Sequence, residues 1–230
     1  MWNKNALQQG ELFKSIIILN QFKNIVEIGV ATAATTKFLC EAAKQTGGYV
    51  FGYDLWDKHG LQNQFGKLST QKFCENFLNS NGCYNFKLKK INTRSPEFKE
   101  LIDMEHNEID FCFIDGCHSY IGVKNDFDIV YPKLSNSGVI AFHDTLRIDG
   151  CREFIIDLRT KFYDGTYDIV DFPWGNNERR VGITLLVKRS YPILNMKIDE
   201  ICGSESTPEK IYEKEKNWYN NEKNKKALGL

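Results

Sequence analysis

Four residues set the chemical question: Asp115, His118, His143 and Asp144. Each acid follows an apolar run, Ile109-Asp110-Phe111-Cys112-Phe113-Ile114 before Asp115 and Gly138-Val139-Ile140-Ala141-Phe142 before His143-Asp144. Such runs read as buried parallel strands, and chemistry in open α/β sheets sits just past the carboxyl ends of the strands. The two acids and two histidines would then share one small volume. Carboxylates that close repel, and one is driven neutral unless a cation lies between them. Asp115, His143 and Asp144 are therefore candidate metal ligands. The carboxylates suit a hard cation such as Mg²⁺, whereas an imidazole suits Mn²⁺ or Fe²⁺ better. His118, three positions after Asp115, is placed to take a proton from a hydroxyl. Blander readings compete: Asp115-Gly116 as a plain turn, His118 as a helix cap, and Asp144-Thr145 as an N-cap pair.

The elements that must position these groups alternate. Apolar residues at helical spacing run from Gly10 to Asn20, and Ile25 to Gly29 is a short β-branched strand. A helix is expected over Ala33 to Gln45, closed by Gly47-Gly48, then a strand over Tyr49 to Asp54. Lys58 to Lys67 has no periodicity and reads as a loop at the cavity mouth. Further helices are expected over Thr70 to Leu78, after Ser95-Pro96 (Ser95 as N-cap), over Val123 to Tyr131 and over Arg152 to Phe162. Strands are expected over Phe86 to Ile91, Ile109 to Ile114, Val139 to Phe142, Tyr167 to Phe172 and Gly182 to Lys188. No helix separates the last two, so that pair should be antiparallel. Alternating β and α means a mostly parallel sheet with helices on both faces.

A chain of 230 residues fits one such domain, over 1–189, followed by an extension over 190–230 that is helical or partly disordered. That extension packs ten Lys or Glu residues into Pro208 to Lys226. Thirty Lys and Arg balance thirty Asp and Glu, so no global field recruits nucleic acid or an acidic membrane surface. No signal-peptide pattern and no apolar run of about 18 residues is present, which predicts no membrane partner. Seven cysteines, none spaced C-x-x-C, predict reduced core residues rather than a disulfide framework or zinc knuckle, and hence a cytoplasmic setting.

The first strand-to-helix turn, Glu27-Ile28-Gly29-Val30-Ala31-Thr32-Ala33, has alanines where a pyrophosphate-binding turn would place its second and third glycines. That argues against nicotinamide and flavin cofactors but leaves room for one without phosphates. Asp54 ends the second strand, where an acid commonly accepts hydrogen bonds from ribose hydroxyls.

Val26-Glu27-Ile28-Gly29-Val30-Ala31 and Phe51-Gly52-Tyr53-Asp54 resemble the first two motifs of the class I S-adenosylmethionine-dependent methyltransferases. The resemblance implies their Rossmann-like fold, a seven-stranded mostly parallel sheet with a terminal antiparallel hairpin whose last strand inserts between its neighbours. It implies S-adenosyl-L-methionine as cofactor. Glu27 and Gly29 would lie near its methionine end, Asp54 at the ribose, and Leu55, Trp56, Asn92 and Thr93 near the adenine, with Val30, Ala31, Thr35 and Asp115 also at the cofactor. The branch usually carries glycine at the position of Ala33, so alanine fits only if φ is negative there. Phe113-Ile114-Asp115-Gly116-Cys117-His118-Ser119-Tyr120 with Ser137-Gly138-Val139-Ile140-Ala141-Phe142-His143-Asp144-Thr145 resembles, more narrowly, the metal-dependent sugar and macrolide O-methyltransferases and the cephalosporin hydroxylase-like proteins. That likeness implies a hydroxyl acceptor on a sugar or polyol, Asp115 and Asp144 as ligands to Mg²⁺ or Mn²⁺, and His118 as catalytic base. The position of His143 is usually an acidic ligand in that branch. The alternatives are a metal-dependent oxygenase or hydrolase on the same fold, or a scaffold that has lost the reaction; homo-oligomerisation stays open.

Overall fold

The computed structural model describes residues 4–56, 69–173, 175–176 and 179–190. Six β-strands follow helices or precede them in strict alternation: α1 (Lys4–Leu19), β1 (Asn24–Ile28), α2 (Ala34–Thr46), β2 (Tyr49–Asp54), α3 (Gln71–Ser80), β3 (Phe86–Lys90), α4 (Pro96–Glu105), β4 (Ile109–Ile114), α5 (Tyr120–Val130), β5 (Leu134–His143), α6 (Asp149–Arg159) and β6 (Tyr167–Phe172). The final strand is β7 (Ile183–Lys188), reached through a two-residue hairpin pairing Gly175–Asn176 with Arg179–Arg180. The sheet order is β3-β2-β1-β4-β5-β7-β6. β1 to β5 pair in parallel, and β7 runs antiparallel between β5 and β6. This is the sheet of the class I methyltransferase fold, with the last strand inserted as expected.

Strict alternation along the central strands feeds two cores. Ile25, Phe111, Phe113, Val139 and Ala141 face α1, α2 and α3, where Phe13, Ile17, Leu39 and Leu78 are buried. Val26, Ile28, Cys112, Ile114, Ile140 and Phe142 face α4, α5 and α6, meeting Phe98, Val123, Phe127 and Phe154. The period-two pattern thus seats helices on both faces, and the strand ends between them are left to line a site. Gly10 lets α1 approach α2: a Cβ there would sit 2.4 Å from Cδ2 of Phe38. Cys40, Cys112 and Cys151 are buried and free, as their apolar surroundings predict.

Several boundaries differ from the sequence reading. β5 begins five residues before Val139, because Leu134 pairs with Ile109 before a register shift admits the polar Ser135–Ser137 segment. α5 starts at Tyr120 rather than Val123, capped by the Ser119 hydroxyl, which accepts from Gly122 N at 3.1 Å. Ser95 does precede α4, with Pro96 at the first turn, but its side chain makes no capping bond. The Lys58–Lys67 loop and the 190–230 extension, Ser190 apart, fall outside the described residues. Among the described residues no helix is long and apolar enough to cross a membrane.

Candidate active site

A cavity of about 430 Å³ opens over the carboxyl ends of β1, β2, β3 and β4. Its floor is the β1 turn. Gly29 there has φ +92°, and its N–H donates to Tyr53 O at 2.8 Å. A Cβ on Gly29 would lie 2.2 Å from the backbone oxygen of Asp115, so only glycine lets the ends of β1 and β4 come together. Ala31 and Ala33 follow at φ +49° and +61°. The positive φ at Ala33 overturns the expectation of a negative one: alanine occupies the left-handed conformation that glycine would take, at about 1–2 kcal/mol of strain. Trp56 (φ +39°) and Asp144 (φ +56°) are strained in the same sense, so among the described residues four of the six non-glycine residues with positive φ border this region.

Asp54 ties the cavity wall together. Its carboxylate accepts from Ala31 N at 2.8 Å and from Trp56 N at 2.7 Å, bridging the turns after β1 and β2. The Trp56 indole N–H then donates to Ala31 O at 3.1 Å, and the Ser69 hydroxyl reaches the same oxygen at 2.7 Å. Of the residues expected at a cofactor, Gly29, Ala31, Asp54, Leu55 and Trp56 line the cavity, as do Asn92, Thr93 and Asp115. Glu27, Val30 and Thr35 do not reach its surface. Val30 is packed in the core, and the Thr35 hydroxyl is buried against Gln9, whose amide donates to it at 3.0 Å. Glu27 is 1% exposed beneath the turn and accepts from the Thr36 hydroxyl at 2.5 Å. Burial drives its carboxyl well above the ordinary range, opposed by the Thr36 bond, with Asp115 and Asp54 adding to the rise.

The chemical corner lies at the other end of the cavity. Ile114 pairs with Phe142 in register, so Asp115 and His143 are the next residues along β4 and β5. The His118 Nε2 to Asp115 Oδ1 hydrogen bond is 3.0 Å, and His118 Nδ1 lies 3.6 Å from Asp144 Oδ2. His143 turns inward: its Nδ1 is 3.0 Å from Asp115 Oδ1 and 3.5 Å from Asp144 Oδ2. The 3.0 Å contact lacks hydrogen-bond alignment, and among the described residues neither His143 Nδ1 nor Asp144 Oδ1 has a partner. One donor atom each from Asp115, His118 and His143 lies within 4.8 Å of the other two. The converging set is thus one carboxylate and two imidazoles, with Asp144 facing both rings, rather than two carboxylates flanking a cation. Burial works to raise the Asp115 carboxyl, but His143 and His118 outweigh it and hold it below the usual range. The bond from Asp115 raises the His118 proton affinity, against the effect of burial. The two capping readings do not hold here: Ser119 caps α5, and Ile148 rather than Asp144 occupies the N-cap of α6.

Sequence reasoning missed Tyr53, Ser69, Ile91, Arg94, Gly116 and Cys117 as lining residues. It also missed Asp126, which is fully buried on the inner face of α5. The signal was present, because Val123, Asp126, Phe127 and Val130 share one helical face and the second of them is charged. Thr93 bonds to the Asp126 carboxylate and the Asn125 amide donates to Thr93 O at 2.8 Å, so α5 holds the cavity wall after β3.

Fold and site together define a class I methyltransferase. A family model described as a methyltransferase domain matches residues 26–145, more than half of the chain, and the protein belongs to that family. TomG, an O-methyltransferase of Streptomyces achromogenes involved in tomaymycin synthesis and solved with SAM, superposes with a TM-score of 0.62 at 15% identity, covering 80% of both chains. An O-methyltransferase of Bacillus cereus solved with SAH gives 0.60 at 15%, covering 79% of this chain and 81% of that one. An rRNA methylase of Streptococcus thermophilus gives 0.57 at 13%, covering 83% and 99%. At these identities the likeness is one of fold. The uncharacterized protein y4gI of Sinorhizobium fredii (strain NBRC 101917 / NGR234) is 47% identical over 45 residues, 20% of this chain, which spans 5% of that protein's length.

Proposed function

We propose that the protein is an S-adenosylmethionine-dependent O-methyltransferase acting on a hydroxyl of a sugar or related polyol, with residues 1–189 as the catalytic unit. One observation carries the reading. A single cavity has a ribose-type acid, Asp54, at one end and the Asp115–His118 pair at the other. In methyl transfer the carbon–sulfur bond of the sulfonium breaks, a carbon–oxygen bond forms, and the hydroxyl proton must leave. His118 is the proton acceptor, because Asp115 orients its ring and stabilises the imidazolium. The strained turns and the Asp54 bridge hold the cofactor wall rigid, which favours the in-line geometry that displacement at carbon requires.

The corner also fits a divalent cation. Among the described residues two buried ligand atoms without an aligned hydrogen bond, His143 Nδ1 and Asp144 Oδ1, lie beside the Asp115 carboxylate, which both histidines draw toward its charged form. Asp115 and His143, joined by His118 before an acceptor arrives and with Asp144 beside them, would hold the ion, which when bound lowers the pKa of a chelated hydroxyl. The comparisons with TomG and the Bacillus cereus enzyme support an O-linked acceptor; the sugar comes from the sequence resemblance alone.

The test is transfer of labelled methyl from S-adenosylmethionine to a panel of sugars and polyols, with and without EDTA. Transfer is expected, and it should fall with chelation. His118→Ala should lower kcat by roughly 10²–10⁴-fold while S-adenosylhomocysteine binding, read by calorimetry, persists. No cofactor binding would overturn the reading, and turnover indifferent to EDTA would remove the metal from it. Metal binding without any methyl transfer would instead support the oxygenase or hydrolase alternative.

A further inference from the structure

The donor chemistry of the corner goes beyond the presence of a cation. We infer that His143 makes this a transition-metal site, which takes Mn²⁺, Fe²⁺ or Co²⁺ in preference to Mg²⁺; the inference rests on the metal-assisted reading above. Mg²⁺ is held by oxygen ligands and keeps its waters, so a set in which an imidazole nitrogen replaces a carboxylate oxygen costs it affinity. The same replacement favours the later divalent metals, for which imidazole is a good ligand.

The geometry supplies the nitrogen where the ion would be. His143 Nδ1 lies 3.0 Å from Asp115 Oδ1 and 3.5 Å from Asp144 Oδ2, ion-pair contacts without an aligned hydrogen bond to either carboxylate. Its ring is held edge-on to Phe113, with centroids 6.0 Å apart. Asp144 is 5% exposed, and its Oδ1 has no partner among the described residues. A nitrogen held against two carboxylates without an aligned hydrogen bond, beside an unpartnered Asp144 Oδ1, is the arrangement that an ion among them would resolve. A second nitrogen, His118 Nε2, belongs to the same 4.8 Å group, so before an acceptor arrives the corner offers two nitrogens and one carboxylate. His118 is also the residue proposed to take the acceptor's proton, so it would have to leave the ion in turnover, whereas His143 has no such second duty. His143 is therefore the residue that fixes the preference.

The experiment uses the full chain, stripped with EDTA and dialysed, with no acceptor present. Mn²⁺ and Mg²⁺ are titrated separately by calorimetry, and Co²⁺ by its visible absorption, which reports nitrogen ligation directly. The native protein should bind Mn²⁺ at least roughly tenfold more tightly than Mg²⁺. His143→Asp should bring the two affinities together and red-shift or weaken the Co²⁺ bands. His143→Asn serves as a second variant should the aspartate fold poorly, with S-adenosylhomocysteine binding as the check on folding of both. Equal native affinities, or a preference that survives both substitutions, would overturn the inference while leaving metal assistance intact. Absence of any metal binding would overturn both, and methyl transfer measured under EDTA would then stand or fall by itself.

Discussion

Asp126→Asn should make the protein more stable at pH 8 and not at pH 4. The Asp126 side chain is fully buried, its Oδ2 has no partner among the described residues, and its carboxylate is met by Thr93 and by a 3.4 Å contact from Asn125 to Oδ1. Burial pushes its carboxyl up to about 6, against the lowering effect of Thr93, Asn125 and Arg94. An acid with a raised folded pKa weakens folding once it must ionise. The penalty is absent below the unfolded value near 3.8, grows as pH rises, and is complete above about 6. Between those limits it amounts to about 3 kcal/mol. Asparagine keeps the shape and removes the charge, but exchanges the charge-assisted Thr93 bond for a neutral one, a loss of about 1 kcal/mol. The net gain at pH 8 is then about 2 kcal/mol, or roughly 4–8 °C in melting temperature for a domain of this size. Urea unfolding at both pH values reads it directly. An equal gain at pH 4 and pH 8, or a loss at pH 8, would refute the picture of a buried carboxylate whose bonds do not offset its burial.

Two further perturbations probe the cavity floor and wall. Gly29→Ala places a methyl 2.2 Å from a backbone oxygen at a φ of +92°, so left-handed strain and overpacking together should cost about 2–5 kcal/mol, seen as a lowered melting temperature. Asp54→Asn turns an NH₂ group toward the N–H of Ala31 or Trp56; one bond is lost, at about 1–3 kcal/mol, and S-adenosylhomocysteine should bind roughly tenfold or more weakly by calorimetry.

Much of this architecture is written in short-range patterns. β2, β4 and β6 begin and end where the sequence pattern puts them, because each is a compact apolar or alternating run bounded by turn residues. The first half of β5 was not legible, since Ser135-Asn136-Ser137-Gly138 reads as a loop and enters the sheet only through a register shift that Phe111 and Val139 close. The positions of Asp115 and Asp144 followed from strand ends. The direction of the Asp144 side chain did not, because the chain turns there at a φ of +56° that no local pattern announces. The alanine at position 33 shows the converse failure: residue type argued for a negative φ, and the need to start α2 beneath the cofactor turn imposed a positive one. Asp126 was overlooked for a third reason, in that its neighbours Val123, Phe127 and Val130 make the face read as ordinary core.

The inserted position of β7 also governs when the molecule can finish folding. β5, which delivers His143 and Asp144, pairs on its far side only with residues 183–187, and His143 itself sits opposite Ile183. During synthesis, β1 to β5 emerge first and can pair in parallel, which leaves the apolar Val139–Phe142 edge without a partner. That edge is a place for another chain to add until residue 188 is free of the ribosome. The reactive corner is thus among the last parts of the protein to be completed, and a chain stopped anywhere before Ile183 should hold the cofactor wall of β1 and β2 yet lack a fixed corner to use it.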